Sequence, residues 1–155
     1  MRVTTKGRYA LRALTKLAMH AEERPIPIKR LAEEEEISPE FLEQIFFRLK
    51  KSGVIRSVRG PGGGFMMNRE PSEVSVREIF DAVGEGIDLT PCSNYSDDGN
   101  GHCVREDYCI VHDVWQEASV HINQYFDSLT LDKVIARGMD RYLAAMERQR
   151  EAVAT

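Results

Sequence analysis

The stretch "CVREDYCIVH", residues 103–112, holds the densest group of side chains able to do chemistry. It contains Cys103 and Cys109, two of the chain's three cysteines, and His112 follows Cys109 by three positions. The third cysteine, Cys92, lies upstream across the ten residues "SNYSDDGNGH". Thiolate and imidazole are the donors that zinc and iron–sulfur clusters take. On an opening helix Cys109 and His112 share a face, and Cys92 and Cys103 must fold back to complete a four-donor set. His102 is the rival fourth donor, though its place beside Cys103 makes it sterically awkward. No close Cys-x2-Cys pair is present, which favours a cluster and leaves zinc or unmetallated thiols open. Three cysteines do not suit a disulfide framework, and no secretory leader or membrane-spanning apolar run is visible. The expected setting is the cytoplasm, with reduced thiols.

A second set of residues faces a different chemistry. The net charge is −4, but it divides unevenly. Residues 1–69 hold 14 basic and 8 acidic side chains, and residues 70–155 hold 7 and 17. Within 44–69 there are six basic residues (Arg48, Lys50, Lys51, Arg56, Arg59 and Arg69) and no acid. A basic front half on an acidic protein points to a polyanionic partner.

Secondary structure must position both sets. Ala10, Leu11, Leu14, Leu17 and Ala18 recur at helical spacing and predict a first helix over about 5–21, ended by "ERPIP". "IKRLAEEEE" predicts a short second helix. In "ISPEFLEQIFFRLKKSG", Ser38 is an N-cap, Pro39 fits the first turn, and Gly53 can close the end. Leu42, Ile45, Phe46 and Leu49 form the buried stripe of this third helix. "VIRSV" and "FMMN" then read as two strands joined by "RGPGGG". That glycine turn is no phosphate loop, because no Gly-Lys-Ser/Thr follows and the next element is a strand. Ser75 and Glu78 predict a capped helix over about 76–83. Val111, Trp115, Ala118, Ile122, Tyr125 and Leu129 form a coiled-coil-like seam. Thr130 predicts the start of a short helix, with another over 139–150.

The expected fold class is mainly α with a small β-wing: a winged helix-turn-helix followed by a long C-terminal dimerisation helix. The expected division is 1–84 for DNA binding, 85–109 for the cysteine loop, and 110–150 for dimerisation and the C-terminal helices. In such a head the third helix enters the major groove. Opposite its buried stripe lie Glu40, Glu43, Gln44, Phe47, Arg48 and Lys51, with Ser38 at its start. Gln44 can bond adenine and Glu43 can accept from cytosine. Arg48, Lys51, Lys6, Arg8 and Arg56 are expected to hold the backbone. Arg59 sits at the wing turn with Gly62, placed to enter a minor groove. No nucleophile–base pair or cofactor fingerprint suggests an enzyme.

On these residues the chain resembles a known family. "MRVTTKGRYALRAL", "ISPEFLEQIFFRLKKSGVIRSVRGPGGGF" and the late Cys-x5-Cys-x2-His are similar to the IscR-type iron–sulfur transcription regulators of bacteria. The likeness is close over about residues 1–90 and looser to about 135. It implies a homodimeric repressor on duplex DNA, with affinity modulated by a [2Fe-2S] cluster that senses iron–sulfur, redox or nitric oxide status. Carried over by motif, the ligands are Cys92, Cys103, Cys109 and His112. The spacing of the first two cysteines departs from the family's usual five intervening residues, an insertion a loop absorbs at small entropic cost. The alternative is a cofactor-free winged-helix regulator, controlled through thiol oxidation or a protein partner and acting, for example, in cysteine metabolism. The acidic second half would be the docking surface.

Overall fold

The computed structural model of the chain describes residues 3–20, 24–87, 89–90 and 105–153. Six α-helices and one two-stranded sheet lie among them. Helix α1 spans Thr5–Met19, α2 spans Ile28–Glu35 and α3 spans Pro39–Lys51. Strands β1 (Ile55–Val58) and β2 (Gly64–Met67) form an antiparallel hairpin, with Ile55 opposite Met67 and Val58 opposite Gly64. Helix α4 spans Val76–Ala82, α5 spans His112–Ser128 and α6 spans Leu131–Val153. This order is the winged helix-turn-helix expected from the sequence, followed by two long helices.

Helix α3 forms where its signals place it. The Ser38 hydroxyl accepts from the Phe41 amide at 3.2 Å, and Pro39 occupies the first turn. Glu40 lies in the first turn and Arg48, Lys50 and Lys51 in the last, matching the helix dipole at both ends. Its stripe of Leu42, Ile45, Phe46 and Leu49 is fully buried with Ala10, Ala13, Leu14 and Leu17 of α1 and Leu31 of α2. The Phe46 ring meets Phe65 of β2 edge-on at 5.1 Å, so the reading helix and the wing share one core.

Two backbone features fix the head. Between α2 and α3, Glu36 adopts a left-handed conformation (φ 53°, ψ 46°) while the Ile37 amide bonds the Ala32 carbonyl at 2.9 Å. A glutamate there carries steric strain that glycine would not. At the base of the wing, Ile26 and Phe65 exchange both backbone hydrogen bonds at 2.9 Å. Gly64 passes so close that a Cβ would overlap the Ile26 carbonyl.

A second, smaller cluster of Val76, Phe80, Ile87 and Leu129 joins α4 to the α5–α6 corner, where Phe80 and Phe126 meet edge-on at 5.5 Å. The corner is pinned by backbone bonds. The Val76 amide donates to Leu129 at 2.8 Å, and the Leu131 amide donates to Val74 at 3.0 Å. The two short helices expected after Thr130 are one continuous helix of 23 residues. Val134, Ile135, Met139 and Tyr142 keep an apolar edge against α1 across the whole interval, so no break is needed.

The two tight positions should respond in opposite directions. Glu36→Gly should raise the unfolding free energy by up to about 1 kcal/mol, since the strain of a left-handed glutamate is removed. Gly64→Ala should lower it by about 1–3 kcal/mol, as for overpacking. Urea denaturation of both variants, followed by circular dichroism, measures this.

Candidate nucleic-acid interface and metal centre

The outward face of α3 is built by subtraction. Once Leu42, Ile45, Phe46 and Leu49 are inside, the 3.6-residue period leaves Glu40, Glu43, Gln44, Phe47, Arg48 and Lys51 outside. All six are exposed. Together with Ser52 and Ala82 they line an open groove of about 990 Å³. Glu40, Glu43 and Gln44 occupy its N-terminal part and Arg48 and Lys51 its C-terminal part, so hydrogen-bonding groups come first along the helix and cations last. Ser38, also exposed, spends its hydroxyl oxygen as an acceptor on the cap.

Lys6 of α1 brings a further cation beside this face. The Arg48 guanidinium lies against Gly84, where a Cβ would meet it at 3.2 Å and Lys6 Nζ at 4.0 Å. Gly84 itself takes φ 70°. On the wing, Arg56 is exposed on β1 and its guanidinium reaches Met66 Sδ at 3.4 Å. Arg59 and Gly62 are exposed in the turn, with Gly62 at φ 76°. Arg8 lies elsewhere. It lines a second groove of about 450 Å³ between α1 and α6, with Leu11, Arg12, Lys16, Val134 and Tyr142.

In that second groove Lys16 donates to Tyr142 at 3.0 Å and pairs with Glu34 at 3.2 Å. Burial works against its charge, but the bonds to Tyr142 and Glu34 outweigh burial and hold its pKa above the ordinary lysine value. Burial likewise opposes charge on Glu34, yet Arg30 and Lys16 bring its pKa below the usual carboxylate value. This polar link ties α6 to α1 and α2 and leaves the α3 face untouched.

One residue here is invisible to sequence reasoning. Glu85, only 5% exposed, accepts from the Thr4 amide at 2.7 Å and from the Thr4 hydroxyl. Thr4 makes no cap of its own for α1, and its side chain turns to this carboxylate instead. A Cβ on Gly7 would meet Glu85 Cγ at 3.0 Å, so the small residue lets the carboxylate in. The contact joins positions 81 apart, and no local pattern announces it.

Of the four thiolate and imidazole candidates, two lie among the described residues. Cys109 and His112 are both half-buried at the entrance to α5, and the His112 amide donates to the Cys109 carbonyl at 3.1 Å. They therefore sit on one turn, at the N-terminal end of a 17-residue helix. Soft sulfur with imidazole nitrogen is a donor pair suited to iron–sulfur clusters and zinc. Cys92, Cys103 and the rival His102 lie outside the described residues, and among the described residues no three potential ligands converge.

These features define a winged-helix DNA-binding transcriptional regulator, not an enzyme, and the comparisons agree. Residues 3–137 match the model of the Rrf2 family, described as an iron-dependent transcriptional regulator. The chain is 38% identical over 135 residues to the HTH-type transcriptional regulator IscR of Pectobacterium atrosepticum, covering 87% of this chain and 79% of that one. It is also 38% identical to the IscR of Escherichia coli O1:K1 / APEC, covering 87% of this chain and 80% of that protein. The structure of T. potens IscR superposes with a TM-score of 0.71 at 32% identity, over 89% of this chain and 88% of that one. Staphylococcus aureus CymR in its oxidized form superposes with a TM-score of 0.69 at 27% identity, over 86% and 95%. The chain belongs to the Rrf2 family. Among the described residues, no helix is long and apolar enough to cross a membrane.

Arg59→Ala should weaken duplex binding and flatten its salt dependence, lowering the slope of log K against log salt by up to about 0.9 for one lost cationic contact. Titration of a labelled duplex at several salt concentrations reads this slope. Parallel lines for the two proteins would place Arg59 off the DNA.

Proposed function

We propose that this chain is a homodimeric repressor whose grip on duplex DNA is set by a [2Fe-2S] cluster. The observation that carries the DNA half is the α3 face, with its base-reading groups ahead of its cations and Arg59 on the adjoining wing. Gln44 and Glu43 read base edges in the major groove. Lys6, Arg48, Lys51 and Arg56 hold phosphates, and Arg59 with Gly62 approaches the minor groove. Ser38 and Glu40 stand at the end of the helix nearest the bases.

The domain plan supports the sensor half. Residues 1–84 form the reading head, 85–109 the cysteine loop, and 110–150 the dimerisation unit. Val111, Val114, Trp115 and Tyr125 are exposed on one side of α5, with half-buried Ala118 and Ile122 between them. An apolar stripe of that length is a surface for another helix, and a second copy of α5 supplies one. Cys109 and His112 fit one edge of the cluster by donor chemistry and shared turn, and Cys92 and Cys103 complete the set. When bound, the cluster supplies a centre whose assembly and redox state depend on iron and oxidant supply. The chain's own part is to hold it at the head of the dimerisation helix.

A second reading has its own support. The likeness to CymR in its oxidized form, together with a free, half-buried Cys109, favours a regulator controlled by thiol oxidation without a cofactor. A protein docked on the acidic second half belongs to the same reading.

Anaerobic purification decides between them. The expected product is coloured, carries about two irons and two sulfides per chain, and changes its duplex affinity when the cluster is removed. A colourless protein with one zinc per chain, or one whose affinity follows thiol oxidation alone, would overturn the cluster reading.

A further inference from the structure

The chain has six phenylalanines, and five of them pack in edge-on pairs. Phe41 meets Tyr9 at 6.0 Å, Phe46 meets Phe65, and Phe80 meets Phe126. Phe47 is the exception, at 70% exposed. It stands on the side of α3 away from the buried stripe. Glu43 and Gln44 lie one turn before it and Lys51 one turn after, so it is central to the polar face. Every other outward side chain of that face carries a hydrogen-bonding group or a charge. A benzyl ring offers neither, and its exposure to water costs stability that folding alone does not recover.

We infer that Phe47 is a specificity residue that selects thymine by packing on its 5-methyl group. The inference rests on α3 being the DNA-reading helix. The occupant follows from the chemistry of the groove. Phosphates and base edges present charge or hydrogen-bonding atoms, and the thymine methyl is the apolar feature of the major-groove floor. The surrounding charges fit DNA better than an apolar protein partner. Arg48 and Lys51 flank the ring toward the C-terminal end of the helix, where they hold phosphates and bring the ring down to base level. Gln44 sits one turn before Phe47 and reads the neighbouring step, so an adenine contact and a methyl contact fall side by side. The pairing predicts an adenine/thymine-containing core in each half-site.

The test uses a duplex selected by the wild-type protein from a random-sequence pool. Each thymine of the selected duplex is replaced in turn by deoxyuridine, which removes the methyl and leaves the hydrogen-bonding edge intact. Dissociation constants are measured for the wild type and for Phe47→Ala at one salt concentration. At one thymine in each half-site the replacement should weaken wild-type binding about fourfold, the effect of one buried methyl. Phe47→Ala should be indifferent at that position and match the wild type at the others. If the wild type feels no methyl that Phe47→Ala ignores, the inference is overturned while DNA binding stands. Failure to enrich any duplex would instead overturn the DNA-reading assignment and this inference with it. Self-association that disappears in Phe47→Ala, without methyl dependence, would assign the ring to a protein contact and overturn the inference.

Discussion

The packing of one face of α3 is the constraint on which the reading head depends. Leu42, Ile45, Phe46 and Leu49 have no freedom to rotate outward, because α1, α2 and the wing close over them. With the buried side fixed, the exposed side is fixed too. The helical period then decides which residues meet solvent, and Gln44, Phe47, Arg48 and Lys51 are placed by the core and not by their own contacts. Phe46 carries more than its share. Its ring touches the wing as well as lying in the helical core, so an aromatic pair joins α3 to the hairpin in addition to the hydrogen-bonded turn at Gly53.

Much of this head was legible in the sequence, for local reasons. Ser38 and Pro39 mark the start of α3, its apolar residues recur with the right period, and the glycine run can be little other than a turn. Such signals span three to ten residues and need no knowledge of the rest of the chain. Failures came where an element depends on distant partners. The pattern after Thr130 predicts two short helices, but α6 is continuous, with Val134, Ile135, Met139 and Tyr142 facing α1 across the expected break. Glu85 carried no signal at all, since its meaning lies in Thr4 and Gly7 at the other end of the fold. Arg8, expected to hold the DNA backbone, is exposed on α1 and lines the α1–α6 groove, a position that helical spacing alone does not give.

The candidate site divides along the same line. The DNA face is local to α3 and the wing, and its members could be named from helical spacing. The metal set is not local. Cys109 and His112 are one turn apart and could be paired from spacing, whereas Cys92 and Cys103 depend on how an intervening loop folds back. The closure of a loop depends on chain entropy and on contacts distant in sequence, and neither writes a periodic pattern.

The head and the C-terminal helices are joined along α1, where Lys16 bonds Tyr142 of α6, in the main core, which Leu131 enters, and at both ends of α4. Beyond the C-terminal end of α4, Glu85 holds the start of α1, near the Lys6 and Arg48 side chains that flank Gly84. At the other, the corner between α5 and α6 hydrogen-bonds on both sides of Ser75, the residue that caps α4. These contacts tie both ends of α4, one through a buried carboxylate and one through hydrogen-bonded backbone. Two reading heads tied in this way to one paired α5 stripe would have their separation set by the dimer. In a dimer of such chains, operator half-site spacing would follow from the pairing of the two copies as much as from the helix that reads the bases.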